Sequence, residues 1–125
     1  MKKAIQNKSK VIWEVIDEKL NKSELLSFNH SQHSLERAYQ RNINNQNIAV
    51  AIEYGKGFFK QGMIFYVLGE NSLPKNIKCN QKTKNLVVVV AGNSNTIITC
   101  YRAKNPFKHV KKKQRNLVAS YGNVA

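Results

Sequence analysis

Acidic residues stop at Glu70. From residue 71 to residue 125 the chain has no Asp or Glu, yet 11 of its 21 Lys and Arg lie there. All seven acids sit in the first 70 residues beside ten cations, and the formal net charge is +14. A preference for Lys over Arg follows from AT-rich coding, as do the 16 asparagines, but such coding does not remove acids. The imbalance therefore points to a polyanionic partner, nucleic acid or an anionic surface.

Other scarcities narrow the class further. Two cysteines, Cys79 and Cys100, are too few for a disulfide framework, and a reduced, cytoplasmic setting is expected. Cys100 falls in an apolar segment and reads as a small core hydrophobe. No apolar run approaches the ~18 residues of a membrane span. The opening residues Met1 to Lys8 contain no apolar stretch of signal-peptide length, so neither a membrane span nor an export signal is expected. There is no internal repeat and no low-complexity tract. What is present is core-forming: 42% of residues are hydrophobic and 9% aromatic, which excludes wholesale disorder. A single domain of 125 residues buries roughly two-thirds of its unfolded surface.

Helices are expected first and strands after. Ser9 caps a helix through Val11, Ile12, Val15, Ile16 and Leu20, whose spacing makes one apolar stripe, with Glu14, Asp17 and Glu18 on a solvated face. Ser31 caps a second helix from Gln32 to about Arg41, with Leu35, Ala38 and Tyr39 toward the core. Asn44 caps a third, Ile43 and Ile48 have the spacing of a hydrophobic staple, and Gly55 supplies a left-handed stop. Met63 to Leu68, Leu86 to Ala91 and Ile97 to Arg102 read as strands, the last two joined by the turn cluster Gly92-Asn93-Ser94-Asn95. The middle one is apolar enough to be central and buried on both faces. The expected fold is α+β, with N-terminal helices packed on one face of a roughly four-stranded antiparallel sheet. Residues 1–27 form a helical extension, 28–105 the domain, and 106–125 a basic C-terminal tail.

Two of the chain's four arginines share a helical row with a histidine. His33, Arg37 and Arg41 are spaced i, i+4, i+8 and fall within an arc of about 80°. In the first helical turn the positive end of the helix dipole disfavours imidazolium, so His33 is suited to accept a proton. Arg37 and Arg41 can hold a phosphate through charge-assisted bonds. A base beside two phosphate clamps is the equipment for RNA cleavage by 2′-hydroxyl attack on the neighbouring phosphorus, a reaction that requires no metal and no cofactor. Thr99 and Tyr101 alternate onto one face of their strand, with Ile98 and Cys100 on the other, and offer hydroxyls to the same phosphate. The basic loop with Lys75, Lys78, Lys82 and Lys84 can hold RNA by its backbone. So can Arg102, Lys104, Lys108, Lys111, Lys112, Lys113 and Arg115 toward the end of the chain.

The run Ser31-Gln32-His33-Ser34-Leu35-Glu36-Arg37-Ala38-Tyr39-Gln40-Arg41-Asn42-Ile43 carries a resemblance, together with Ile48 to Gly55, Val87 to Val90 and Ile97 to Arg102. The chain resembles the domain of unknown function family numbered 4258 over roughly residues 28–105. That family shows His-Ala-x-x-Arg-Met-x-x-Arg-x-Ile on its first helix, a Gly closing the second, and a final Thr-Val-Tyr strand. It is similar to the barnase-, EndoU-, colicin- and RelE-like ribonuclease toxins. The resemblance implies a small bacterial toxin that hydrolyses RNA, with His33, Arg37, Arg41, Thr99 and Tyr101 as its site. It also implies an acidic antitoxin or immunity protein as partner. Action is then in the cytoplasm, or in a target cell's cytoplasm if the module is delivered by a larger toxin. Ser34 and Ala38 stand where the family has Ala and Met, and read as surface or size changes.

Rival readings remain. His30, His33, Cys79, Cys100 and His109 lack zinc-like Cys-x-x-Cys grouping. Gly55-Lys56-Gly57 and Gly92-Asn93-Ser94 lack the order of a phosphate loop. Phe58, Phe59, Phe65 and Tyr66 can stack bases but fit strand packing better. The alternative function is a non-catalytic nucleic-acid-binding protein, which needs the same charge. A partner- or membrane-surface role for the first helix and the Lys111 to Arg115 cluster is a third.

Overall fold

The computed structural model describes residues 9–17, 19, 21–69 and 84–113. Within them, the helix expected from Val11 onward is replaced by strand β1 (Lys10–Asp17), which pairs antiparallel with β2 (Lys22–His30), Lys10 opposite Asn29 through Asp17 opposite Lys22. The apolar positions 11, 12, 15 and 16 satisfy a helical stripe, but they are all β-branched, and Trp13 lies between them. Such residues lose side-chain freedom in a helix and pack well on a pleated face. Alternation decides the outcome: Val11 is buried while Ile12 and Glu14 are exposed. Trp13 stacks on Phe28 with ring centroids 5.5 Å apart, locking the hairpin's inner face.

Helix α1 (Gln32–Gln40) and helix α2 (Asn45–Tyr54) follow as expected. Ser31 Oγ accepts from Ser34 N–H at 3.1 Å. Asn44 and Asn47 form a reciprocal capping box, at 2.8 and 3.1 Å, and Ile43 and Ile48 are both buried as the staple requires. The connection between the helices is a Schellman motif: Ile43 N–H donates to Ala38 O and Asn42 N–H to Tyr39 O, with Asn42 in the left-handed region at φ 56°. Gly55 ends α2 differently from the left-handed stop expected, since its φ is −76°. It is required by space: a Cβ there would lie 2.3 Å from Ala51 O and 2.9 Å from Val67 O.

Strands β3 (Lys56–Lys60) and β4 (Met63–Leu68) form a hairpin that the sequence reading missed. Its two-residue turn, Gln61-Gly62, has positive φ at both positions, the geometry such turns favour. Strands β5 (Leu86–Ala91) and β6 (Thr96–Arg102) complete a six-stranded sheet in the order β1-β2-β6-β5-β4-β3. The sheet is mixed, not four-stranded and antiparallel as expected, because β2 runs parallel to β6 through Asn29↔Thr96 and His30↔Ile97. Central β5 is buried on both faces. Leu86, Val88 and Val90 join Ala38, Ile48, Ala51 and Cys100 beneath α1 and α2. Val87 and Val89 join Phe65, Val67 and Val110 on the opposite face.

A third helix, α3 (Pro106–Lys111), covers that second face. It lies in the segment expected as tail, and full burial of Val110 stabilises its docking by about 1.5–3 kcal/mol. The expected boundaries at 27/28 and 105/106 are thus not structural divisions: β2 runs across the first, and Pro106 and Val110 are buried beyond the second. The basic loop expected between Glu70 and Asn85 lies outside the described residues up to position 83. Among the described residues, no helix is long and apolar enough to cross a membrane.

Candidate functional site

The pairing of β2 with β6 lasts only two residues, because the chain turns at Ser31 into α1. Beyond that point α1, not a strand, meets the edge of β6. Ser31 N–H donates to Ile97 O at 3.0 Å, and its hydroxyl donates to Ile98 O at 3.4 Å. Two residues further along β6, Arg41 Nη1 donates to Cys100 O at 2.8 Å. Arg102 reaches back the other way, from Nη1 to Arg41 O at 2.8 Å and from Nη2 to Asn42 O at 3.3 Å. A cation on the last carbonyls of a helix also meets the negative end of its dipole. The two arginines therefore clasp the end of α1 to the edge of β6.

The clasp borders an open recess of about 740 Å³ lined, among the described residues, by Arg41, Thr99, Tyr101 and Arg102. The recess joins three of the five residues expected to act on RNA, with Arg102 added from the expected RNA-binding set. Its lining carries two guanidinium groups, two hydroxyls and no carboxylate.

His33 and Arg37 are not brought into that lining. Arg37 Nε donates to His33 Nε2 at 3.4 Å, and Arg37 Nη1 donates to Gln40 Oε1 at 3.2 Å. Helical geometry explains the separation. Ser34 and Ala38 are the buried positions of α1. At 100° per residue Arg41 lies only about 20° from Ser34, Arg37 about 60° and His33 about 100°. The core side also differs from the expected one: Tyr39 is 88% exposed, because the small pair Ser34 and Ala38 sets the closest approach to the sheet. Ser34 is correspondingly no surface change. It is fully buried, and its hydroxyl is 2.7 Å from His30 Nδ1, whose other nitrogen, Nε2, is 2.9 Å from Asn45 Oδ1.

On β6 a register shift at Val89/Val90, a β-bulge, places Ile98 with Tyr101 on the α3 face, not beside Cys100 as expected. Cys100 packs under α1, and burial pushes its thiol up to about 11 against the opposing pull of Arg41 and Arg102. Burial likewise raises Tyr101, while Arg41 acts in the other direction.

The residue the sequence reading left out of the site is His109. Phe107 and Val110 dock α3 against the sheet, and Lys60 Nζ donates to Val110 O at 3.1 Å, Lys111 O at 2.9 Å and Lys113 O at 3.1 Å. That seating lays the His109 ring edge-on to Tyr101, with centroids 5.3 Å apart, and Nε2 is hydrogen-bonded to the Tyr101 hydroxyl at 2.8 Å. Partial burial, followed by the charge of Lys113, lowers the His109 pKa below the ordinary histidine value. The available signal was Pro106 at a helix start with Phe107 and Val110 three apart, which marks a docked turn where a tail was expected.

The remaining expected RNA contacts are dispersed. Lys104, Lys108, Lys111 and Lys112 are exposed, Lys84 is half-buried, and Lys113 Nζ sits 5.6 Å over the Phe65 ring. Lys75, Lys78, Lys82 and Arg115 lie outside the described residues, as does Cys79. Comparison with family models, with curated proteins and with solved structures finds no match to this chain.

Proposed function

We propose that this protein is a small metal-independent ribonuclease that seats an RNA phosphate in the recess of Arg41, Thr99, Tyr101 and Arg102. The observation that carries the reading is the composition of that lining, two guanidinium groups and two hydroxyls without an opposing acid, in a chain of net charge +14. Guanidinium groups bind phosphate oxygens through charge-assisted bonds and stabilise charge that accumulates on them during transfer. Thr99 adds a neutral donor, and Tyr101 places its hydroxyl at the same recess. Arg37, one turn before Arg41, extends the cationic track along the strand being held, and His33, two turns before, accepts a hydrogen bond from it. The role fits a toxin module whose antidote is an acidic protein covering the recess.

The test is an end-labelled oligoribonucleotide incubated with the full chain in excess EDTA. Products ending in 2′,3′-cyclic phosphate are expected. Arg41→Ala should lower cleavage by roughly 10- to 100-fold, the loss of one bond to a charged group. RNA affinity should fall steeply with salt. Salt-sensitive binding without any product would favour the non-catalytic binding protein instead.

A further inference from the structure

If the recess holds the scissile phosphate, a group beside it must take the proton of the attacking 2′-hydroxyl. The sequence reading assigns this to His33. In the structure His33 Nε2 accepts from Arg37, so its one lone pair is directed along α1, and the ring does not line the recess. Tyr101 does line it, and its hydroxyl is hydrogen-bonded to His109 Nε2 at 2.8 Å. We infer that Tyr101 and His109 form the proton-accepting pair of the site, with Tyr101 as the catalytic residue and His109 positioned behind it to receive its proton. The inference rests on the ribonuclease reading and names the residues through which it acts.

The step balances as follows. With His109 in the neutral, Nδ1-protonated tautomer, the Tyr101 O–H donates to Nε2 and its oxygen lone pair faces the recess. The 2′-hydroxyl proton moves to the Tyr101 oxygen while the tyrosine proton passes to Nε2. The electron pair left on the 2′-oxygen forms the new bond to phosphorus. The bond from phosphorus to the 5′-oxygen breaks, its pair stays on that oxygen, and water supplies the proton. The His109 imidazolium returns its proton to the hydroxide so formed, and the pair is restored. Arg41 and Arg102 border the phosphate throughout. Burial and the charge of Lys113 hold His109 neutral at rest, so that Nε2 is free to accept a proton, and Arg41 opposes the effect of burial on the Tyr101 hydroxyl.

The test uses the full chain, the end-labelled oligoribonucleotide and the variants Tyr101→Phe, His109→Ala and His109→Gln, with folding followed by circular dichroism. All three should retain the fold and bind RNA within about threefold of the parent, yet lose about 100-fold or more in kcat. His109→Gln can keep a hydrogen bond to Tyr101 but cannot titrate, so it separates proton transfer from mere support. The acid limb of the kcat–pH profile should disappear in its residual activity. Added imidazole should restore part of the rate to His109→Ala. Parental activity in either His109 variant would overturn the pair while leaving the ribonuclease reading intact. Absence of cleavage by the parent chain would overturn both.

Discussion

Ser34 is completely buried in α1, and its hydroxyl lies between two acceptors, His30 Nδ1 at 2.7 Å and Ser31 O at 3.1 Å. The shorter contact suits a neutral His30 that donates from Nε2 to Asn45 Oδ1, while Asn45 Nδ2 donates onward to Lys10 O at 3.1 Å. Four segments are tied by this chain of bonds: β1, the end of β2, the first turn of α1 and the first turn of α2. Removing one partner from a buried hydrogen bond leaves the other desolvated and unpaired. Ser34→Ala is therefore expected to destabilise the protein by about 1–3 kcal/mol, read as a lower urea midpoint at unchanged slope. An unchanged midpoint would mean that the hydroxyl serves Ser31 O and that His30 gains nothing from it.

At the scale of elements, α3 is only six residues long and cannot hold itself together as an isolated helix. Its first turn is seated by Phe107 against Phe58, ring centroids 6.3 Å apart, and its last turn by Lys60. Lys60→Met keeps the apolar stem and removes the donors to three carbonyls. Protection of the Lys112 and Lys113 amides from hydrogen exchange should drop about fivefold, with β5 unaffected, since one net hydrogen bond is worth about 1 kcal/mol. Equal protection would show that Phe107 and Val110 suffice.

The same elements show what the sequence carries openly. Where a side chain caps its own neighbourhood the reading succeeds: Ser31, Asn44 and the Ile43–Ile48 staple mark α1 and α2, and the valine run marks β5. It fails where two periods fit one segment. Val11, Ile12, Val15 and Ile16 satisfy a helical stripe, and only their β-branching and the pairing of Trp13 with Phe28 favour the strand. Of the site, strand spacing puts Thr99 and Tyr101 on one face, whereas helix spacing joins Arg41 to His33 and Arg37, which do not line the recess. Arg102 joins it because the short β2–β6 pairing leaves the edge of β6 to α1, and His109 because α3 folds back, both consequences of topology and not of local pattern.

For the molecule as a whole, acidification concentrates several unfavourable changes on one structure. His30 is half-buried, and burial lowers its pKa below the ordinary histidine value, although the bond to Asn45 acts in the opposite direction. His109 is lowered as well, by partial burial and by Lys113. A histidine with a depressed folded pKa binds its proton more readily in the unfolded chain, so stability rises with pH in that window. The contribution is fully present above about pH 6.5 and is lost as pH falls through the folded values. Protonation also adds positive charge to a chain already at +14, and like charges repel more strongly in the compact state than in the expanded one. The urea midpoint should therefore be lower at about pH 5 than at about pH 7.5. Salt separates the two causes, because screening acts on repulsion between exposed charges and little on the desolvation of a buried ring. At about 1 M salt, where the screening length is near 3 Å, part of the loss should be recovered and part should remain. His30→Gln should remove much of the part that remains. Complete recovery in salt would assign the acid sensitivity to charge repulsion alone and would mean that the network around His30 does not discriminate between its two protonation states.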